Sequence, residues 1–208
     1  MPTWKKPTWK KIGSTTPFSN QWLTLHLDII KSPTGEKQEY THVTKMPGVV
    51  VIPYFSQTNS FLLVKQYRHP LGKFIWQFPG GHIDSAQTPK QIAINELAQE
   101  TQYRPTKMRK LGLIHPDPAI INGPATVFVC LDPIPISTVA NATQKPMVRK
   151  SLAKNSSSLE KTYQKIFTYS QLVKLIKANK IQDSWTLASL YLFKLHYPKN
   201  YLKKAHEK

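Results

Sequence analysis

Apolar and polar residues alternate one for one from Leu23 to Ile29, with Thr24, His26 and Asp28 set between Leu23, Leu25, Leu27 and Ile29. Successive strand side chains point to opposite faces, so this period predicts a half-buried strand. Pro33-Thr34-Gly35 supplies a turn, and a second short strand completes residues 20–45. By the same alternation Trp22 shares a face with Thr24 and His26, not with the leucines. Further on the apolar runs become continuous, as in strands buried on both faces. Val49-Val50-Val51-Ile52 follows Met46-Pro47-Gly48, and Phe61-Leu62-Leu63-Val64 follows a polar turn at 56–60. The segment 75–83 is extended and bends at Pro79-Gly80-Gly81. Leu111 to Ile114 and Thr126 to Leu131 add two more strands.

The period then changes. Thr88 is a good N-cap, Pro89 suits the first helical position, and Gln91 completes a capping box. Ile92, Ala93 and Leu97 form the inward stripe of that helix. Two more helices are predicted over 170–178 and 184–196, with Leu172, Leu175, Ile176, Leu187, Leu190, Tyr191 and Leu195 as apolar positions. Residues 137–160, rich in Ser, Asn, Lys and Ala, read as a long mobile loop. Strands and helices mixed in this order predict an α/β or α+β sandwich. The partition is a basic flexible arm over 1–14, a β extension over 15–45, the main domain over 46–198 and a polar tail over 199–208.

Charge adds a second layer. Lys plus Arg number 29 against 11 Asp plus Glu, a formal charge of +18 that attracts polyanions such as nucleotides, nucleic acid or anionic lipid. A Lys-rich solubility habit gives the same balance. The arm repeats Pro-Thr-Trp-Lys-Lys from Pro2 and again from Pro7, so nucleic acid bound through the basic ends is one reading and a disordered arm the other. Cys130 is the only cysteine, which excludes an intrachain disulfide scaffold; its apolar run makes it a buried strand residue, not a nucleophile. No apolar run approaches the roughly 20 residues of a membrane helix, and no secretory signal is visible. The expectation is a soluble, cytoplasmic protein.

Candidate chemistry sits on the first helix. Glu96 and Glu100 are four apart and project from one face. Like charges there repel by a few tenths of a kcal/mol, and a divalent cation relieves the repulsion. Hard cations take oxygen ligands and keep waters for substrate phosphates. The Gly80-Gly81 bend just upstream lets backbone carbonyls come close to such an ion. An ordinary solvated acidic pair is the alternative reading of two glutamates alone.

The context decides between them. From Gly81 to Tyr103 the chain resembles a Nudix box: Gly, five residues, Glu, seven residues, then Arg-Glu-apolar-any-Glu-Glu-any-Gly-apolar. Gly81, Glu96, Leu97, Glu100 and Tyr103 fill their places without a gap. The flanks Leu62 to Gly72, Trp76 to Gly81 and Lys180 to Leu187 are similar to those of the ADP-ribose pyrophosphatase branch of Nudix hydrolases. The resemblance spans roughly residues 15–198. It implies a Nudix-type α/β/α sandwich with a small N-terminal β extension. It implies Mg²⁺, with Mn²⁺ as a substitute, held by the Gly80 carbonyl, Glu96, Gln99 and Glu100. Glu96 and Glu100 would be catalytic, and Glu160 is the candidate base in the acidic-loop position. Arg68, with Gln66 in the same Gln-Tyr-Arg run, would meet the diphosphate, and Trp22 would stack on the base. The implied reaction is hydrolysis of a nucleoside diphosphate linked to another group, ADP-ribose to AMP and ribose 5-phosphate above all, in a homodimer.

Four box positions depart from the pattern: Gln87 and Gln99 replace glutamates, Asn95 an arginine and Gln102 a glycine. Gln99 removes a carboxylate from the metal face. Asn95 and Gln99, four apart, lose opposite charges together. Gln102 either costs roughly 1 kcal/mol in a positive-φ position or ends the helix differently. Asp117-Pro118-Ala119 stands where the branch has Pro-Gly; Asp117 and His115 either contact substrate or fix a turn. Two other readings are therefore carried: a Nudix fold that binds nucleotide or RNA without turnover, and an enzyme acting on a dinucleotide or capped RNA.

Overall fold

The structure is a computed structural model, and residues 8–83, 87–136 and 163–198 are described. They fall into two units. The first comprises the chain up to Met46 together with His115–Pro124. In it β1 (Lys10–Ser19), β2 (Leu23–Lys31) and β3 (Lys37–Lys45) form an antiparallel meander, and β10 (Ile121–Asn122) adds to β3 in parallel.

The second unit is built on a mixed sheet. Its strands are β4 (Gly48–Phe55), β5 (Ser60–Arg68), β9 (Lys107–Ile114), β11 (Ala125–Leu131) and β13 (Tyr163–Thr168), in the order β13-β5-β4-β11-β9. A 3-10 turn at His69–Leu71 leads into β6 (Lys73–Gln77), which pairs with β5; β7 (Gly80–His82) pairs with β4. Two-residue strands β8 (Tyr103–Arg104) and β12 (Ile134–Pro135) pair with each other. Helices α1 (Pro89–Thr101), α2 (Tyr169–Lys177) and α3 (Ser184–His196) complete the unit.

Strand periodicity divides the core in two. Val49 and Val51 of β4, with Phe128 and Cys130 of β11, meet Ile92, Ala93 and Leu97 of α1. The intervening residues Val50, Ile52 and Tyr54, with Val127 and Val129, pack with Leu172, Leu190 and Phe193 from α2 and α3. A strand buried on both faces reads as a continuous apolar run, which is why β4 and β11 were legible as runs and not as alternations. The result is the expected α/β/α layering. Leu97 is fully buried, and truncating such a side chain to Ala costs about 2–5 kcal/mol.

Helix α1 begins and ends as its residues dictate, with one difference. Thr88 Oγ1 accepts from the Gln91 backbone N–H, and Pro89 opens the helix. The Gln91 side chain does not close the capping box; it donates to Asn95 instead. At the other end Gln102 takes φ 59°, the left-handed position for which glycine is suited. Its side-chain amide donates to the Ala98 carbonyl. Gln102→Gly is expected to stabilise the chain by up to about 1 kcal/mol, read as a raised urea midpoint at unchanged m.

The N-terminal unit departs from its sequence reading. Strand β1 begins inside the segment expected as an arm; residues 1–7 of that arm, the expected loop over 137–160 and the 199–208 tail lie outside the described residues. Polar, lacking alternation and broken by Pro17, β1 gives little strand signal; its pairing with β2 slips between Thr15 and Phe18, around that proline. In β2 the polar Asp28 is buried, while Leu23, Leu27 and Ile29 are exposed, as is Phe18 of β1. Asp28 is held by polar partners from both neighbouring strands, whereas nothing among the described residues of this unit covers the leucine face.

Candidate active site

Helix α1 presents Glu96 and Glu100 one turn apart beside the apolar stripe that anchors it. The glycines of β7 make room for them. A Cβ on Gly81 would overlap the Glu96 carboxylate, and one on Gly80 would overlap the Val49 carbonyl oxygen across the β4–β7 pairing. At Gly81 the bend is therefore a close approach of backbone to the Glu96 carboxylate.

Glu100 is the end of a directed hydrogen-bond chain. Arg68 Nε donates to Gln77 Oε1 at 2.9 Å, and Gln77 Nε2 donates to Gln66 Oε1 at 2.9 Å. Gln66 Nε2 then donates to Glu100 Oε1, while the Gly80 backbone N–H donates to Glu100 Oε2 at 3.0 Å. Arginine has donors only, so it fixes the orientation of both amides in turn. Both Glu100 oxygens thereby face donors, the arrangement that suits an ionised carboxylate.

Electrostatics oppose that ionisation. Burial raises the Glu100 carboxyl, and the neighbouring Glu96 raises it further, to about 8, against the lowering pull of the Gly80 N–H, Gln66 and Arg68. Burial also raises Glu96. A hydrogen-bond set built for an anion, in a place that disfavours negative charge, fits a cation as the remaining partner. The candidate ligand atoms are carboxylate oxygens, which are hard, so a divalent ion of the Mg²⁺ kind fits them.

The departures from the box pattern separate by position. Asn95 Nδ2 donates to Gln87 Oε1 at 2.8 Å, and Gln91 Nε2 donates to Asn95 Oδ1 at 3.1 Å. The lost Arg and first Glu are thus replaced by a matched pair of neutral amides that still ties the loop to the helix. Asn95 partners Gln87, not Gln99. Gln99 is exposed.

Of the residues singled out by sequence, the second unit brings together Gln66, Arg68, Gly80, Glu96 and Glu100. Trp22 belongs to the first unit and is exposed; Glu160 lies outside the described residues. Gln77, which joins Arg68 to Gln66, was not foreseen. Its signal was a lone amide in the apolar segment Ile75-Trp76-Gln77-Phe78, where a buried polar group needs partners. Asp117 fixes a turn, its carboxylate accepting from the Ala119 N–H and its carbonyl from Ile121 N–H. Cys130 is fully buried, and burial pushes its thiol up to about 12, so it is no nucleophile.

Comparison with known proteins agrees with this geometry. The chain is 28% identical over 120 residues to an ADP-ribose pyrophosphatase of Bacillus subtilis (strain 168), covering 58% of this chain and 64% of that protein. It is 29% identical over 136 residues to an ADP-sugar pyrophosphatase of Mus musculus, covering 61% and 62%. The matched stretches thus span less than two thirds of each relative. A crystal structure of an ADP compounds hydrolase superposes with a TM-score of 0.71 at 14% identity over 96% of this chain and 98% of that one, which shows a shared fold. Residues 44–185 match the NUDIX domain, and with the Gly80-Gly81 bend set against Glu96 and Glu100 the chain belongs to the Nudix family.

Proposed function

We propose that the protein is a Mg²⁺-dependent hydrolase of nucleoside diphosphates linked to a second group, with ADP-ribose the preferred substrate and AMP and ribose 5-phosphate the products. The observation that carries this reading is the half-buried Glu96–Glu100 pair: both carboxyls are disfavoured as anions by desolvation, and Glu100 nevertheless accepts from two donors. Glu96, Glu100 and the Gly80 carbonyl would hold the ion, with Gln99 offering a neutral oxygen and Mn²⁺ able to substitute. When bound, Mg²⁺ neutralises phosphate charge and lowers the pKa of a coordinated water.

The chain's own residues do the positioning. Arg68 is exposed, and its Nε is held by Gln77. That contact orients the terminal nitrogens as a fork for diphosphate oxygens. Gln66 has both ends of its amide engaged, by Gln77 and Glu100, so its part is to hold Glu100 as well as to line the diphosphate position. Glu160 remains the proposed base and Trp22 the proposed stacking platform for the purine.

A homodimer formed through the N-terminal sheet fits the exposed Phe18, Leu23, Leu27 and Ile29, an apolar face that a second copy would cover. Cytoplasmic residence is consistent with the single reduced, buried Cys130; no helix among the described residues is long and apolar enough to cross a membrane.

A panel of diphosphate substrates with Mg²⁺ and with Mn²⁺, scored for released monophosphate, tests the reading. AMP from ADP-ribose is the expected result. Turnover only of dinucleotides or capped RNA would move the substrate, and the basic ends would then hold the polyanion. Binding of nucleotide or RNA with steep salt dependence and no turnover of any diphosphate would make the chain a binding protein, the reading its +18 charge favours.

A further inference from the structure

We propose that the N-terminal sheet carries its own metal site, for a transition-metal dication of the Zn²⁺ class, formed by His26 and Asp28 of β2 and His42 of β3. It is independent of the α1 carboxylates in residues and in ligand chemistry: imidazole nitrogens suit Zn²⁺-type ions, where all-oxygen sets suit Mg²⁺.

The strand register assembles the three ligands. His26 and His42 lie directly opposite each other across the β2–β3 pairing. Asp28 is two residues along from His26 and so points from the same face. One ligand atom from each residue lies within 4.8 Å of the others. His42 Nε2 and Asp28 Oδ2 are 3.1 Å apart. With Zn–N and Zn–O bonds near 2.0–2.2 Å, neighbouring ligand atoms of a tetrahedral site stand about 3.4 Å apart. Small rotations therefore admit an ion between His42 and Asp28, and His26, whose ring stacks on His42 with centroids 4.7 Å apart, turns in as the third ligand.

The surroundings fit the role. Ser14 of β1 donates to Asp28 Oδ1 at 2.5 Å, leaving Oδ2 for a metal and fixing the carboxylate from behind. Asp28 is buried, and the Ser14 hydroxyl, with His42 and Lys11, holds its carboxyl below the usual value against the opposing effect of burial. Lys11 Nζ stands 3.7 Å from Oδ2 on a side chain more than half exposed, so it can leave for water when an ion enters. His42 also lines a cavity of about 340 Å³ with Tyr40, His115 and Asn122, which provides an entry path. Three protein ligands leave one position for water, the pattern of an open site.

The test takes the full, untagged chain, stripped with chelator and titrated with Zn²⁺ in excess Mg²⁺. One retained equivalent is expected, and Glu100→Gln should keep it. The double variant His26→Ala/His42→Ala should lose at least a hundredfold in affinity, and Ser14→Ala roughly tenfold. Unchanged affinity in the double variant, or loss in Glu100→Gln, overturns the site. X-ray absorption on the Zn²⁺-loaded wild-type chain needs no variant: two imidazoles in the ligand shell support the proposal, and a shell of oxygens alone overturns it.

Discussion

Glu100→Gln is expected to lower turnover of ADP-ribose by on the order of a hundredfold or more, with the helix and sheet intact by circular dichroism. Removing one group that stabilises charge in a transition state costs about 10²–10³ in kcat, and Glu100 does this through the ion it would share with Glu96. The substitution is close to isosteric, so packing against β7 is kept. It nevertheless turns an acceptor-only group into one with an amide NH₂, which must face either the Gly80 N–H or the Gln66 amide. The loss should fall on kcat, with KM little changed, because Arg68 remains to bind diphosphate. Equal rates in the variant and wild type would remove Glu100 from the chemistry.

Stability of the chelated chain should fall as pH rises between about 5 and 8, and Mg²⁺ should reverse the fall. The Glu100 carboxyl goes from 4.5 to about 8 on folding, through burial and then the charge of Glu96. At pH below 4.5 the group is protonated in both states and adds no dependence. Within the window the folded chain keeps a proton that the unfolded chain has released, so stability drops with rising pH, by up to about 1.4 kcal/mol per pH unit. Above about 8 the drop is complete. Glu96, raised in the same direction, adds to it. A cation competes with the proton for the same oxygens, so Mg²⁺ should raise the melting temperature by several degrees at pH about 8.5 and by far less at about 5.5. Glu100→Gln should flatten both effects. A melting temperature that climbs with pH across this window in the chelated chain would contradict the raised carboxyls of Glu96 and Glu100.

The elements legible in the sequence share a physical cause. Val49 to Ile52 and Val127 to Cys130 are buried on both faces, and only continuous apolar runs satisfy that position. The α1 start was readable because Thr88 and Pro89 act locally, within one turn. The glutamates were readable because i, i+4 spacing places two side chains on one face whatever the fold. The unread parts depend on partners distant in sequence. Gln77 acquires its role only when β6 pairs with β5 and sets it beside Arg68 and Gln66. The Asn95–Gln87 amide pair joins residues eight apart, across the start of α1. In the N-terminal sheet the alternation of β2 was correct as a period but silent on which face is covered. Asp28 is buried because Ser14 and His42 come to it from the two flanking strands.

Under the proposed function Glu96 and Glu100 grip a divalent ion against the Gly80-Gly81 bend. Crystals grown with Mn²⁺ and measured at a wavelength where manganese scatters anomalously test it most directly. An anomalous peak within coordination distance of a Glu96 oxygen, a Glu100 oxygen and the Gly80 carbonyl is the expected result. Well-ordered carboxylates with no peak between them, at Mn²⁺ concentrations that support turnover, would contradict it.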